Sequence, residues 1–212
     1  LQTVLFPNPK PTAPLAVIVE FVASEPVMAT YHITDGVDHW EYSSSQYLVS
    51  HMQPLIYFKA GKSHNITITI TDHSGKSIGF SQGLSFNAPA LPVSAEFPLV
   101  DFSKTSLSSA LSPNNDITLV DLKRYSENYL ANGDSYIEHD RSYGLLLALN
   151  NKGEVVWFYK EHRSIEDVQV LPSGNLALTG PGGREVIDLL GYRQSFWRGS
   201  RQTFSDEFLS LR

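Results

Sequence analysis

The feature that most limits what this chain can fold into is a hydrophobic alternation of period two, cut at short intervals by turn residues. Val27, Ala29, Tyr31 and Ile33 alternate with Met28, Thr30, His32 and Thr34, and the run stops at Asp35-Gly36. Ile66, Ile68 and Ile70 alternate with Thr67, Thr69 and Thr71 and end in the turn residues 72–75. Successive side chains of a strand point to opposite faces, so these runs are strands with one face buried and one wet. Asp-Gly after such a run predicts a hairpin turn. With residues 16–22, 55–58, 84–86 and 93–99 added, the first part holds roughly seven short strands, the spacing of a small antiparallel sandwich. The fold class is therefore all-β, with an N-terminal immunoglobulin-like β-sandwich; only the architecture is implied, because the Cys and Trp pattern of antibody domains is absent.

The second part is also strand-rich. Residues 144–149 are an apolar run, Asn150-Asn151-Lys152-Gly153 is a turn, and residues 154–159 return with Val155, Trp157 and Tyr159 on one face. Strands at 165–171, 175–179, 185–190 and 192–197 follow, divided by Pro172-Ser173-Gly174, Gly182-Gly183 and Gly191. Consecutive strands with tight turns over this length read as a propeller-blade-like antiparallel sheet, the start of a β-propeller. No second copy of the unit is evident. Asp121 to Leu130 fits either a short helix or a loop, since Asn128 and Asn132-Gly133 oppose a longer helix.

Charge density divides the chain where total charge does not. The first hundred residues carry four basic and seven acidic side chains, the remaining 112 carry twelve and fifteen, and each part is net −3. The segment between Pro98 and Pro113 is rich in serine, the composition of an exposed connector. The expected organisation is a β-sandwich domain over residues 1–100, a connector over 101–143 and an incomplete blade-like unit over 144–212. A net charge of −6 leaves no basic excess to neutralise a phosphate backbone, which excludes nucleic acid as a partner. No run approaches the ~18 apolar residues of a membrane-spanning helix. There are no cysteines, hence no disulfides, thiolate metal sites or cysteine nucleophiles. The chain begins at Leu1, as a removed secretory signal or a trimmed N-terminus would leave it.

The seven histidines, at 32, 39, 51, 64, 73, 139 and 162, are the obvious chemical resource. None stands at a metal-ligand spacing, so no metal site is expected. His139-Asp140 could pair a base with its orienter, but neighbours on a strand face opposite ways. The serine elbow Gly-x-Ser-x-Gly is absent. Gly180-Pro181-Gly182-Gly183 reads as a hairpin turn rather than a phosphate cradle, since proline removes an amide donor and strands flank it. Arg184, Arg193, Arg198, Arg201 and Arg212 could gather an anion, yet the interspersed Glu185, Asp188, Asp206 and Glu207 make an ordinary charged surface the better reading. The sequon Asn65-Ile66-Thr67 lies within a strand.

Several segments resemble the bacterial arylsulfate sulfotransferases. Asn8-Pro9 with Ala13-Pro14-Leu15 is similar to that family's opening, and residues 61–70 to the strand that closes its N-terminal domain. Residues 144–150, Gly153-Glu154-Val155-Val156-Trp157 and Leu171-Pro172-Ser173-Gly174-Asn175-Leu176 resemble successive strands of its first blade. The resemblance implies a periplasmic or secreted protein with an N-terminal β-sandwich before a six-bladed propeller. It also implies sulfuryl transfer, without a cofactor, from a phenolic sulfate donor to a phenol acceptor through a sulfated histidine. The family's blades often carry His-Asp before the Leu-Pro-x-Gly-Asn turn, where this chain has Glu166 and Asp167. No catalytic, cofactor-binding or metal residue is therefore assigned, and the chemistry is expected on blades beyond the roughly 70 residues after Tyr143, too few to close a propeller.

Two other readings stay open. One is a non-enzymatic extracellular or periplasmic binding or adhesion module, with Trp40, Tyr42, Tyr47, Tyr57 and Phe58 as a contact face or as core. The other is a fragment of a quinone-dependent dehydrogenase, for which no calcium or cofactor ligands stand out. Apolar surfaces such as Trp157, Phe158, Leu171, Leu176 and Leu178, if left without a neighbouring blade, predict a homo-oligomer through the C-terminal half.

Overall fold

The computed structural model describes residues 2–92, 97, 117–124, 143–180 and 183–198. Among them every regular element is a strand, and all pairings are antiparallel. No helix among the described residues is long and apolar enough to cross a membrane. The chain divides into two compact units, one of residues 1–9 and 14–93, the other of 10–13 and 94–212.

The first unit is organised by one long strand. β1 (Thr3–Pro7) is followed by β2 (Val17–Thr34), whose 18 residues join the two runs expected as separate strands. The pleat phase is kept throughout: Val17, Val19, Phe21, Ala23, Val27, Ala29, Tyr31 and Ile33 are all buried, while Ser24, Glu25 and Pro26 are exposed where the register shifts. β3 (His39–Ser43) and β4 (Leu48–Leu55) run in the same direction and form the return arm of one hairpin, β3 against the second half of β2 and β4 against the first. On the other side of β2, β1 pairs with the first half and β5 (Ser63–Thr71) with the second; β6 (Ser77–Asn87) completes the sheet. Six strands thus share one curled sheet, a half-barrel, where strand counting suggested about seven in two layers. The sequence could not show this, because a residue that bends a strand without ending it looks like a turn signal.

Residues 55–58 also depart from expectation. β4 ends at Leu55, and Tyr57 adopts φ 77°, which turns the chain out of the sheet. Residues 93–96, 98–116 and 125–142, which hold most of the expected last strand and of the connector, lie outside the described residues.

The second unit holds two antiparallel meanders. β7 (Thr118–Arg124), β8 (Tyr143–Leu149) and β9 (Val155–Glu161) form one sheet. β10 (Asp167–Val170), β11 (Leu176–Gly180), β12 (Gly183–Ile187) and β13 (Arg193–Trp197) form the other. Residues 121–124 are strand rather than helix or loop, because they pair in register with the apolar β8 from Leu146 to Tyr143; residues 125–130 are not described. Pairing supplied by a distant segment overrides weak local helix preference.

Leu145 to Leu149 and Val155 to Tyr159 are buried on both faces, which explains why these strands read as continuous apolar runs instead of alternations. Trp157, Phe158, Leu176 and Leu178 are all buried within the single chain. Leu171 is half-buried, and the apolar side chains that this half exposes among the described residues are instead Ile117, Val170, Phe196 and Trp197. Turns are built alike. Asn150 Oδ1 accepts the N–H groups of Lys152 and Glu154, and Asp188 Oδ1 those of Leu190 and Tyr192, with Gly153 and Gly191 at positive φ three residues on.

Candidate functional site

The densest group of buried polar side chains among the described residues sits at one end of β2. Asp35 opens the β2–β3 turn, where its Oδ1 accepts the N–H groups of Val37 (3.0 Å) and Asp38 (2.7 Å). Thr34 Oγ1 donates to the Asp38 carbonyl at 2.8 Å, and Gly36 takes φ 88°, so the turn holds both carboxyl groups in place. Lys59 arrives from the segment redirected by Tyr57. Its Nζ donates to Asp35 Oδ2 at 2.8 Å and to Asp38 Oδ2 at 2.5 Å. The side chains of Lys59 and Asp35 are each 5% exposed, and that of Asp38 is 31% exposed.

His64 on β5 lies behind this cluster and is fully buried. Its Nε2 accepts the Lys59 backbone N–H at 3.3 Å, which places the proton of the neutral ring on Nδ1. Nδ1 makes no hydrogen bond of good geometry, although the backbone at Lys62 and Phe86 favours its protonation. Trp40 and Phe58 meet the imidazole edge-on at 5.7 and 5.2 Å between ring centroids, and Tyr57 packs on Trp40 at 5.0 Å. Burial lowers the His64 pKa, reinforced by Lys59 and opposed by Asp35, so the ring is held neutral. Burial by itself would raise the Asp35 pKa; hydrogen bonds from Lys59, Asp38 and Val37 outweigh it and hold the carboxyl well below the usual range.

A second cluster lies in the other unit. Tyr159 donates from its hydroxyl to Glu161 Oε2 at 3.0 Å, and Glu161 is hydrogen-bonded to the Glu185 carboxyl. Arg193 Nε donates to Glu185 Oε2 at 2.6 Å. Burial and Glu185 together raise the Glu161 pKa, and burial with both carboxylates raises that of Tyr159. A pocket of about 20 Å³, enough for a single water, opens beside Glu161, Glu185, Arg163 and Thr179.

Residues singled out by sequence fall apart in space. His32 bonds Glu41 (2.8 Å) and Thr69 (3.0 Å) on the outer face of β2; His51 stacks on Phe21, and His73 on Tyr47. His139, Asp140, Arg201 and Arg212 lie outside the described residues. Arg193 is engaged by Glu185 and lies over the Phe196 ring, as an ordinary charged surface requires. Glu166 and Asp167 stand at the start of β10, on the edge of its sheet. Gly180 pairs with Gly183 across a two-residue connection, in keeping with a hairpin. Trp40 and Phe58 are core residues, Tyr57 is half-buried and Tyr42 exposed, so the five aromatics make no common contact face. Among the described residues no group of three or more His, Asp and Glu side chains could hold a metal ion.

Sequence reasoning missed both clusters. The available signal for the first was a lone lysine closing the apolar run Leu55-Ile56-Tyr57-Phe58, a position that burial permits only with a counter-charge. The second carries no local signal, because Glu161 and Glu185 come from different sheets. No family model and no curated protein matches the chain.

Proposed function

We propose that the chain is the front portion of an arylsulfate sulfotransferase-like protein of the periplasm or the secreted space, and that its own residues are scaffold rather than catalyst. The observation that supports this reading is the succession of two antiparallel meanders, the three-stranded β7 to β9 and the four-stranded β10 to β13, which the reading takes as consecutive blades at the start of a propeller. The turn between β10 and β11 is the Leu171-Pro172-Ser173-Gly174-Asn175 segment, with Gly174 at φ 82°. In this reading the curled sheet of the first unit stands for the family's N-terminal sandwich.

The reaction divides sulfuryl transfer into two displacements. A neutral imidazole attacks sulfur and expels a phenolate, then a second phenol takes the sulfuryl group from the imidazole, with cationic or amide donors holding the equatorial oxygens. Of the six described histidines, His64 is sealed in the core, His32, His51 and His73 are engaged by Glu41, Phe21 and Tyr47, and His39 and His162 are exposed at the surface. In this reading the nucleophile belongs to further blades. Incubating these 212 residues with a chromogenic aryl sulfate and a phenol acceptor should give no transfer, whereas a longer chain carrying the further blades should turn over. Turnover by the 212 residues alone, or its absence from the longer chain, overturns the reading.

A binding module is the second reading. It is favoured by the outer face of β1, β2 and β4, where Phe6, Val4, Val22 and Met52 are exposed around Glu20.

A further inference from the structure

The outer face of β1, β2 and β4 forms a cleft with one charge in it. In register across the three strands, Val4 is opposite Glu20 and Glu20 is opposite Met52, with Ile18 and Val22 two residues away on either side along β2. Directly opposed side chains on one face have Cβ atoms about 5 Å apart, so Glu20 is ringed by four apolar side chains. Of these, Val4 is 38% exposed, Val22 61% and Met52 68%. A space of about 550 Å³ opens between Gln2, Val4, Glu20, Val22, Ser50 and Met52, the size of a small-molecule site.

We infer that this cleft binds a small amphiphile with a single positive charge, an alkylammonium or arylammonium ion, with the ammonium on Glu20 and the apolar part over Val4, Val22 and Met52. The inference rests on the binding reading of this face and is independent of the sulfotransferase reading.

Charge decides the ligand class. Glu20 is half-buried, and its carboxylate has no hydrogen-bond or ion-pair partner among the described residues. A carboxylate on a sheet face gains from a cation opposite it, yet β1, β2 and β4 contain no lysine or arginine. Lys59 is held by Asp35 and Asp38, and Lys10 lies over the Tyr192 ring. A cation brought by the ligand therefore meets an uncompensated carboxylate, and the apolar side chains around it lower the local dielectric, which strengthens the contact. A neutral amphiphile gains only the apolar contact, and an anionic one is repelled. Three strands are about 10 Å across and residues 18–22 about 13 Å along, dimensions that suit a chain of roughly eight carbons.

The two methionines supply a reporter and an internal control. Met52 lines the cleft, whereas Met28 stands on the second half of β2, opposite Thr71. With the methionine methyl groups of the full chain labelled with ¹³C and assigned through Met28→Leu, octylammonium, octanol and octanoate are titrated separately and followed by NMR. Octylammonium should shift the Met52 signal, leave that of Met28 in place and bind about tenfold more tightly than octanol, with octanoate weakest. Glu20→Gln should abolish the preference for octylammonium over octanol, and Val22→Ser should weaken both alike. Equal binding of octylammonium and octanol by the wild-type chain overturns the inference even if a variant fails to fold, and so does a preference that survives Glu20→Gln. If none of the three probes moves the Met52 signal, the binding reading of this face falls with it.

Discussion

Replacing Glu161 with glutamine should stabilise the second unit at neutral pH. In the native structure Glu161 is enclosed beside Glu185, and both effects raise its pKa. A folded-state pKa above the unfolded value means that the fold favours the protonated form. The stability that proton brings is complete below the unfolded value near 4.3 and is lost as pH climbs through the raised folded value. Above that value the pair carries two charges against Arg193 on Glu185 and the more distant Arg163. Glutamine keeps the length, accepts the Tyr159 hydroxyl and can donate to Glu185. Each pKa unit of displacement corresponds to ~1.4 kcal/mol, and discounting for the opposing arginines leaves a gain of about 1 kcal/mol at pH 8. Below pH 4 the two proteins should be equally stable. Urea unfolding followed by the fluorescence of Trp157, the buried tryptophan of β9, at pH 4 and pH 8 measures the difference. A glutamine variant less stable than wild type at pH 8, or an equal gain at both pH values, refutes the reasoning.

Three further outcomes follow from packing and turns. Gly191→Ala should cost more than Gly75→Ala, each measured by thermal unfolding: both glycines have positive φ, but a Cβ at 191 would meet Thr12 Oγ1 at 2.9 Å and the Tyr159 ring at 3.3 Å, whereas position 75 is open. The strain alone is worth about 1 kcal/mol, so Gly75→Ala should fall near that and Gly191→Ala clearly above it. Trp157→Phe removes the Nε1 hydrogen bond to the Leu189 carbonyl (2.8 Å) and should destabilise the second unit by about 1–3 kcal/mol in urea titrations. Ile33→Ala, at a position 1% exposed on the inner face of β2, should cost about 2–5 kcal/mol by the same titration.

What the sequence made legible was the local pleat. The inward set Val27, Ala29, Tyr31 and Ile33 and the inward Ile66 and Ile68 are buried as alternation predicts, because each residue's face depends only on its neighbours. Turns at Asp35-Gly36, Gly153, Gly174 and Gly191 were legible for the same reason: positive φ nearly requires glycine. Strand continuity was not. Ser24-Glu25-Pro26 looks like a break, yet β2 passes through it, with β4 pairing on either side of a register shift, from Val22 with Ser50 to Val27 with Leu48. Division of the second unit into two sheets was equally hidden, since the apolar runs 144–149 and 155–159 and the strands that follow differ in partner rather than pattern. The buried clusters depend on side chains far apart in the chain, Asp35 with Lys59 and Glu161 with Glu185, and no short window contains both members.

Location of the sulfuryl group during turnover tests the central claim most directly. A longer chain containing these residues and the further blades would be incubated with a ³⁵S-labelled aryl sulfate without acceptor, quenched in alkali and mapped by peptide. The account predicts label on a histidine outside residues 1–212 and none on the seven histidines within them. Label on any of those seven, or transfer that proceeds with no labelled histidine at all, would contradict it.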